Sequence, residues 1–181
     1  MTKLTLVIGN KNYSSWSLRP WLAMKQAGIE FAEVRIPLDS PKTHAEIRRY
    51  SPSGKVPVLI DGDLKIWESL AICEYVAERF ANHLWPADIA VRAIARSICA
   101  EMHAGFQNLR KNMPMDCRNR YPGEGMTPAT EAEIDRIIAI WRDCRQTFGS
   151  GGNMLFGNFT VADAMFAPVV MRFVTYEVKL H

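Results

Sequence analysis

A chain of 181 residues, 48% hydrophobic and 23% charged, has the length for one large domain or two small ones with a sizeable core. Its net charge of +3 is too small and too scattered for a nucleic-acid partner. No stretch is apolar for long enough to span a bilayer and the N-terminus lacks a signal-peptide pattern, so the expected compartment is the cytoplasm. Four cysteines, Cys73, Cys99, Cys117 and Cys144, stand far apart without a C-x-x-C pair, which argues against a disulfide framework and against a zinc site.

Met1-Thr2-Lys3 runs directly into a strand in which Leu4, Leu6 and Ile8 alternate with Thr5 and Val7. A polar loop follows over 10–15. The spacing of Leu18, Trp21, Leu22 and Met24 predicts a helix over 17–27, with Pro20 in its first turn and Gly28 as its stop. A strand over 31–36 closes a β-α-β unit. Residues 37–50 are polar, with a short helix around 45–49. Strands over 56–60 and 64–67 are joined by Asp61-Gly62-Asp63, a hairpin signal, and a helix follows over 69–80.

Residues 82–88, containing Trp85-Pro86, read as a linker, and the pattern beyond it is helical. One long helix is expected over 89–112, on a stripe of Ile94, Ile98, Met102, Phe106 and Leu109. A Pro- and Gly-bearing loop over 113–127 precedes a helix over 128–148, built on Ile134, Ile137, Ile138 and Trp141. After a glycine-rich connection, Thr160-Val161-Ala162-Asp163 opens the last helix as a capping box with Asp in the Glu/Gln place. The expected organisation is α/β plus all-α: a first domain over 1–81, a linker over 82–88 and a helical domain over 89–181.

Three segments carry chemistry. The first loop reads Asn12-Tyr13-Ser14-Ser15-Trp16-Ser17-Leu18-Arg19, a hydroxyl cluster at a helix start. Capping of that helix is a sufficient reason for serines there. Lys55-Val56-Pro57 opens a strand with a residue that cannot donate to the ladder, which marks a strand edge with a special task. Glu68-Ser69 begins the next helix, where free backbone N–H groups, a hydroxyl and a carboxylate can fix a charged small ligand.

Together these segments, with the Thr160-x-x-Asp163 cap, resemble the glutathione transferase family, and the serine loop resembles that of its zeta class. The resemblance implies a thioredoxin-like N-terminal domain followed by the family's helical domain, with glutathione as co-substrate and no metal. Ser14 aligns with the leading serine of the zeta pattern and is the expected thiolate-stabilising group, with Ser15 second. Trp16 stands where that class commonly has cysteine. The thiol of glutathione ionises near pH 8.5, and lowering that by about two units takes roughly 2.7 kcal/mol, within reach of a hydroxyl donor plus a helix N-terminus.

By the same resemblance Val56, before a cis Pro57, offers its main chain to the cysteinyl part of glutathione. Lys55 and Lys42 are basic contacts for its glycine end, with a solvated charge an equal reading for each and the better one for His44. Glu68 meets the γ-glutamyl ammonium and Ser69 its carboxylate. His103, Phe106 and Arg110 are pocket candidates, Phe106 reading better as core and Arg110 as solvated. The implied activity is transfer of glutathione to a small electrophile, as in detoxification, by a cytoplasmic homodimer without nucleic-acid or membrane partners. Two alternatives stay open: a non-catalytic binding or scaffold protein of this fold, and a zeta-like glutathione-dependent isomerase. The family continues beyond the position of His181, so the helical domain reads as shortened at its C-terminus.

Overall fold

A computed structural model of the chain describes residues 4–180; the expected lead-in at Met1-Thr2-Lys3, and His181, lie outside the described residues. The chain separates into two compact units, Met1–Asn82 and His83–His181.

In the first unit the element order is β1 (Thr5–Ile8), α1 (Ser15–Gln26), β2 (Ala32–Arg35), α2 (Thr43–Arg48), β3 (Val58–Asp61), β4 (Leu64–Trp67) and α3 (Ser69–Arg79). The strands form one mixed sheet in the order β2-β1-β3-β4, with β1 parallel to β2 and antiparallel to β3, and β3 antiparallel to β4. This is the thioredoxin-like plan. Leu6, Val7, Val58 and Leu59 are fully buried in the two central strands. One sheet face buries Val7 and Val58 with Ile36 and with Ile47 of α2. α1 and α3 pack against each other, with Met24 and Ala23 of α1 and Ile72, Cys73 and Val76 of α3 at 0% exposure. Asp61 belongs to the β3 ladder opposite Leu64, so the hairpin turns on Gly62 and Asp63 alone. Gly62 has φ 59°, a value that favours glycine at such a turn.

The start of α1 differs from expectation. The helix begins at Ser15 rather than 17, and Pro20 therefore lies beyond its first turn. Its ring nitrogen carries no hydrogen, so the Trp16 carbonyl receives no α-helical bond from it.

The second unit contains α4 (Ile89–Ala104), α5 (Gln107–Asn112), α6 (Pro128–Phe148) and α7 (Val161–Tyr176). α4 packs on α7 and α5 on α6. Trp141 of α6 meets Phe166 and Phe173 of α7 with ring centroids 5.9 and 5.5 Å apart. The single helix expected over 89–112 is broken at Gly105-Phe106. Gly105 is extended and Phe106 adopts φ 60°, ψ 46°. Two charged groups satisfy the polar atoms that the break exposes. Arg110, expected to be solvated, is half-buried and reaches back to the carbonyls of Gly105, Met102 and His103. Glu133 of α6 accepts the Asn108 and Leu109 N–H groups at 3.2 and 2.7 Å, capping α5 from outside. Met102 and Phe106 are core residues.

At the start of α7 the capping box forms in full: Asp163 Oδ2 accepts the Thr160 N–H at 2.8 Å, and Asp163 Oδ1 accepts the Leu155 N–H at 2.9 Å. No described helix is long and apolar enough to cross a membrane. Among the described residues no cluster of His, Cys, Asp and Glu has the make-up of a metal site.

Candidate functional site

Residues 51–55 shape one wall of the main cleft in the first unit. Ser51 Oγ accepts the Lys55 N–H at 3.2 Å and lies 3.1 Å from Ser53 Oγ, while Gly54, at φ 69°, donates its N–H to the Ser51 carbonyl. This turn delivers Lys55 and Val56 to the sheet edge, and the Val56–Pro57 peptide is cis. The first ladder pairs are Val58 with Val7 and Val58 with Trp67. Val56 therefore stands two residues before the sheet begins, its main chain not committed to the ladder.

The opposite wall is the start of α3. Glu68 occupies the N-cap position at φ 68°, ψ 126°, a conformation that costs a non-glycine residue on the order of 1–3 kcal/mol. That backbone turns the chain from β4 into α3 and leaves the Glu68 side chain exposed at the rim. Ser69, the first helical residue, is 1% exposed, and its hydroxyl has no hydrogen-bond partner among the described residues. The first N–H groups of a helix lack intrahelical acceptors, and the macrodipole adds about half a positive charge there.

The cleft between these walls encloses about 290 Å³ and is lined by Trp16, Ser53, Lys55, Val56, Pro57, Glu68 and Ser69. Five of the eight residues expected at the site thus meet in one place: Lys55, Val56, Pro57, Glu68 and Ser69. Ser14, Ser15 and Lys42 are not among the lining residues. Lys42 is exposed at the N-cap of α2. Ser14 donates its hydroxyl proton to Ser17 Oγ at 2.8 Å, and Ser17 Oγ also accepts the Gly9 N–H at 3.1 Å. Trp16 and Ser53 line the cleft without having been expected there. An indole in place of the class's cysteine was visible in the sequence, whereas Ser53 gave no signal beyond its place before Lys55.

Trp16 is half-buried, and the Arg19 guanidinium lies over its ring at 4.4 Å. Cys73 faces the interior of α3, where burial pushes its thiol up to about 12, against a smaller opposing pull from the Arg19 charge. Such a thiol is inert at neutral pH. The cleft itself presents one carboxylate, one ammonium, two hydroxyls and a helix N-terminus, a set suited to a ligand carrying charges of both signs.

The pattern behind these residues is recognised directly: the model of the glutathione S-transferase N-terminal domain matches residues 13–79. The chain belongs to the glutathione transferase family. Glutathione S-transferase T1 of Arabidopsis thaliana is 32% identical over 140 residues, covering 73% of this chain and 56% of that protein. A probable maleylacetoacetate isomerase of Caenorhabditis elegans is 29% identical over 158 residues, covering 86% of this chain and 72% of that protein. A crystal structure of a glutathione transferase homolog from Burkholderia, with bound glutathione, superposes with a TM-score of 0.71 at 22% identity, covering 99% of this chain and 85% of that one. This last likeness concerns the fold. The chain spans about half or less of the length of several curated transferases that it matches.

Proposed function

We propose that this member of the glutathione transferase family binds glutathione in the cleft and transfers it, through its sulfur, to a small electrophile. The observation that carries the reading is the Ser69 hydroxyl, buried and without a partner at the N-terminus of α3, beside the Glu68 carboxylate. A buried hydroxyl in that state costs about 1–3 kcal/mol, which an arriving carboxylate would recover. The γ-glutamyl end of glutathione brings a carboxylate to Ser69 and the α3 N–H groups, and an ammonium to Glu68. The Val56 main chain pairs with the cysteinyl unit, and Lys55 takes the glycine carboxylate. Lys42 remains a reserve contact for the same carboxylate.

The sulfur then falls toward the start of α1, where a serine hydroxyl and the helix N-terminus favour the thiolate. The thiol proton leaves to water. The thiolate attacks an electrophilic carbon, a carbon–sulfur bond forms, and the leaving group departs with its electron pair. With Cys73 inert and no cysteine in the first loop, the reactive sulfur belongs to glutathione rather than to this cleft. Family membership also makes a two-fold homodimer the expected assembly.

A second reading rests on the Caenorhabditis elegans relative named as a probable maleylacetoacetate isomerase. In that case sulfur adds to the substrate and leaves again, and glutathione is returned unconsumed. Calorimetric titration with glutathione, followed by its thiolate absorbance, tests the common part of both readings. Saturable binding with thiolate present at neutral pH is expected. Absence of binding would favour a scaffold role. Thiol consumption during turnover then separates transfer from isomerisation.

A further inference from the structure

The positive charge that reads as scattered along the sequence is gathered by the fold onto one surface. Residues 42–55 hold four cations, Lys42, Arg48, Arg49 and Lys55, against the single carboxylate of Glu46, an excess that equals the net charge of +3 of the whole chain. The remaining residues therefore balance. Thr43 and Ile47, one turn apart, are the buried residues of α2, and Ile47 packs with Val7, Ile36 and Val58 of the sheet. At about 100° per residue, the outward side of α2 then carries His44, Ala45, Arg48 and Arg49, with Lys42 just ahead of the helix and Glu46 at the margin. Lys42, His44, Arg48 and Arg49 are all exposed. A Cβ at Gly54 would meet Arg48 Nε at 4.0 Å, so Arg48 lies along the 51–55 turn and joins the patch to Lys55.

Helix stability explains only part of this arrangement. Arg48 and Arg49 stand at the C-terminal end of α2, where a cation suits the helix dipole, but Lys42 stands at the N-cap, the disfavoured end, and makes no side-chain capping bond. None of Lys42, Arg48, Arg49 and Lys55 forms an ion pair among the described residues. The patch is thus a cationic surface without a counter-charge of its own.

Its make-up selects the partner. Two adjacent guanidinium groups present planar forks that match carboxylates two hydrogen bonds at a time. No aromatic ring stands on the outward side to stack with bases, since Tyr50 packs against the Ile47 cluster. Between residues 42 and 55 no large apolar side chain is exposed to enter a bilayer. The helix itself is about 9 Å long, the reach of roughly three residues of extended chain, so a short acidic run covers it.

We propose that the outer face of α2 docks a short acidic segment of another protein, its carboxylates meeting Lys42, Arg48 and Arg49. Arg48 and Arg49 do not line the glutathione cleft, so the assignment is independent of the glutathione reading.

The test is titration of the full chain into a fluorescein-labelled hexaglutamate peptide, followed by anisotropy at roughly 50 and roughly 200 mM salt. Saturable binding is expected at the lower salt, weaker by about fivefold or more at the higher. Arg48→Gln/Arg49→Gln is expected to lose about tenfold in affinity, and Arg48→Glu/Arg49→Glu to lose saturable binding, with circular-dichroism melts showing both variants folded. Arg142→Glu/Lys179→Glu makes the same change in net charge at exposed positions of the helical unit and is expected to bind like wild type. An equal loss in that control would overturn the assignment, because net charge alone would then attract the peptide. So would absence of binding by the wild type at the lower salt. Tighter binding of hexauridylate or of phosphatidylserine vesicles than of hexaglutamate would overturn it too, giving the patch to nucleic acid or to lipid.

Discussion

Replacing Ser69 by alanine should move stability and affinity in opposite directions. The hydroxyl oxygen is buried without a partner in a residue 1% exposed, so the ligand-free protein carries a desolvation penalty of about 1–3 kcal/mol that alanine lacks. Alanine is also a good helix former at the first position of α3. The free Ser69→Ala protein should therefore melt no lower than wild type, and higher by about 2–4 °C for each kcal/mol recovered. In the complex the same oxygen would donate to a carboxylate, a charge-assisted bond whose loss is worth about 1.5–3 kcal/mol. Glutathione affinity should fall roughly ten- to hundredfold. Differential scanning calorimetry of the free protein and isothermal titration with glutathione read the two halves separately. A variant that melts lower and binds glutathione as tightly as wild type would refute the reasoning, because Ser69 would then serve the fold alone.

Glu68→Gly should relieve the positive-φ penalty, on the order of 1 kcal/mol or more in thermal stability, yet weaken glutathione binding through loss of the carboxylate; Glu68→Gln should show the affinity loss alone. Glu133→Ala should destabilise by about 1–2 kcal/mol, because the Asn108 and Leu109 N–H groups lose their acceptor, and thermal melting measures it. Asp163→Ala leaves the N–H groups of Leu155 and Thr160 and the Thr160 hydroxyl without their acceptor, and should cost about 2–4 kcal/mol in the same assay. Cys73 should resist alkylation at pH 8 in the folded protein, with its thiol pushed up to about 12 by burial. An unfolded chain ionises that thiol near its ordinary 9.0 and so holds fewer protons between the two values. Stability is then unaffected by this group below about pH 9 and falls as pH rises from there toward 12, which denaturant titrations at stepped pH would follow.

Local signals in the sequence carried most of the first unit. The alternation of Leu4, Leu6 and Ile8, the Gly62-Asp63 turn, and the Lys55-Val56-Pro57 and Glu68-Ser69 segments each specify their own conformation from neighbouring residues. The five residues that meet in the cleft are the ones held by such short-range constraints. The break between α4 and α5 was less legible. Gly105 alone is a weak signal inside an unbroken apolar stripe, while the groups that stabilise the break include Glu133, 24 residues from Leu109 in sequence. Placing the start of α1 two residues late had a sharper consequence. Periodicity read from Leu18 onward cannot tell whether Ser15 and Trp16 lie inside the helix, and Trp16 is the residue of that first turn that lines the cleft.

The segment between α5 and α6 looks, in composition, like an easy target for trypsin, with Arg118 and Arg120 in a Pro- and Gly-bearing stretch. Its backbone is nonetheless fastened. Asp116 accepts the N–H groups of Arg118 and Asn119, Tyr121 donates its N–H to the Thr175 carbonyl, and Gly123 donates to that of Tyr176. A protease must draw an extended run of residues into its active site, and here that means detaching the strap from the end of α7 first. Nicking at these arginines should therefore track opening of the helical unit instead of local fraying, which makes limited trypsinolysis a gauge of that unit's integrity.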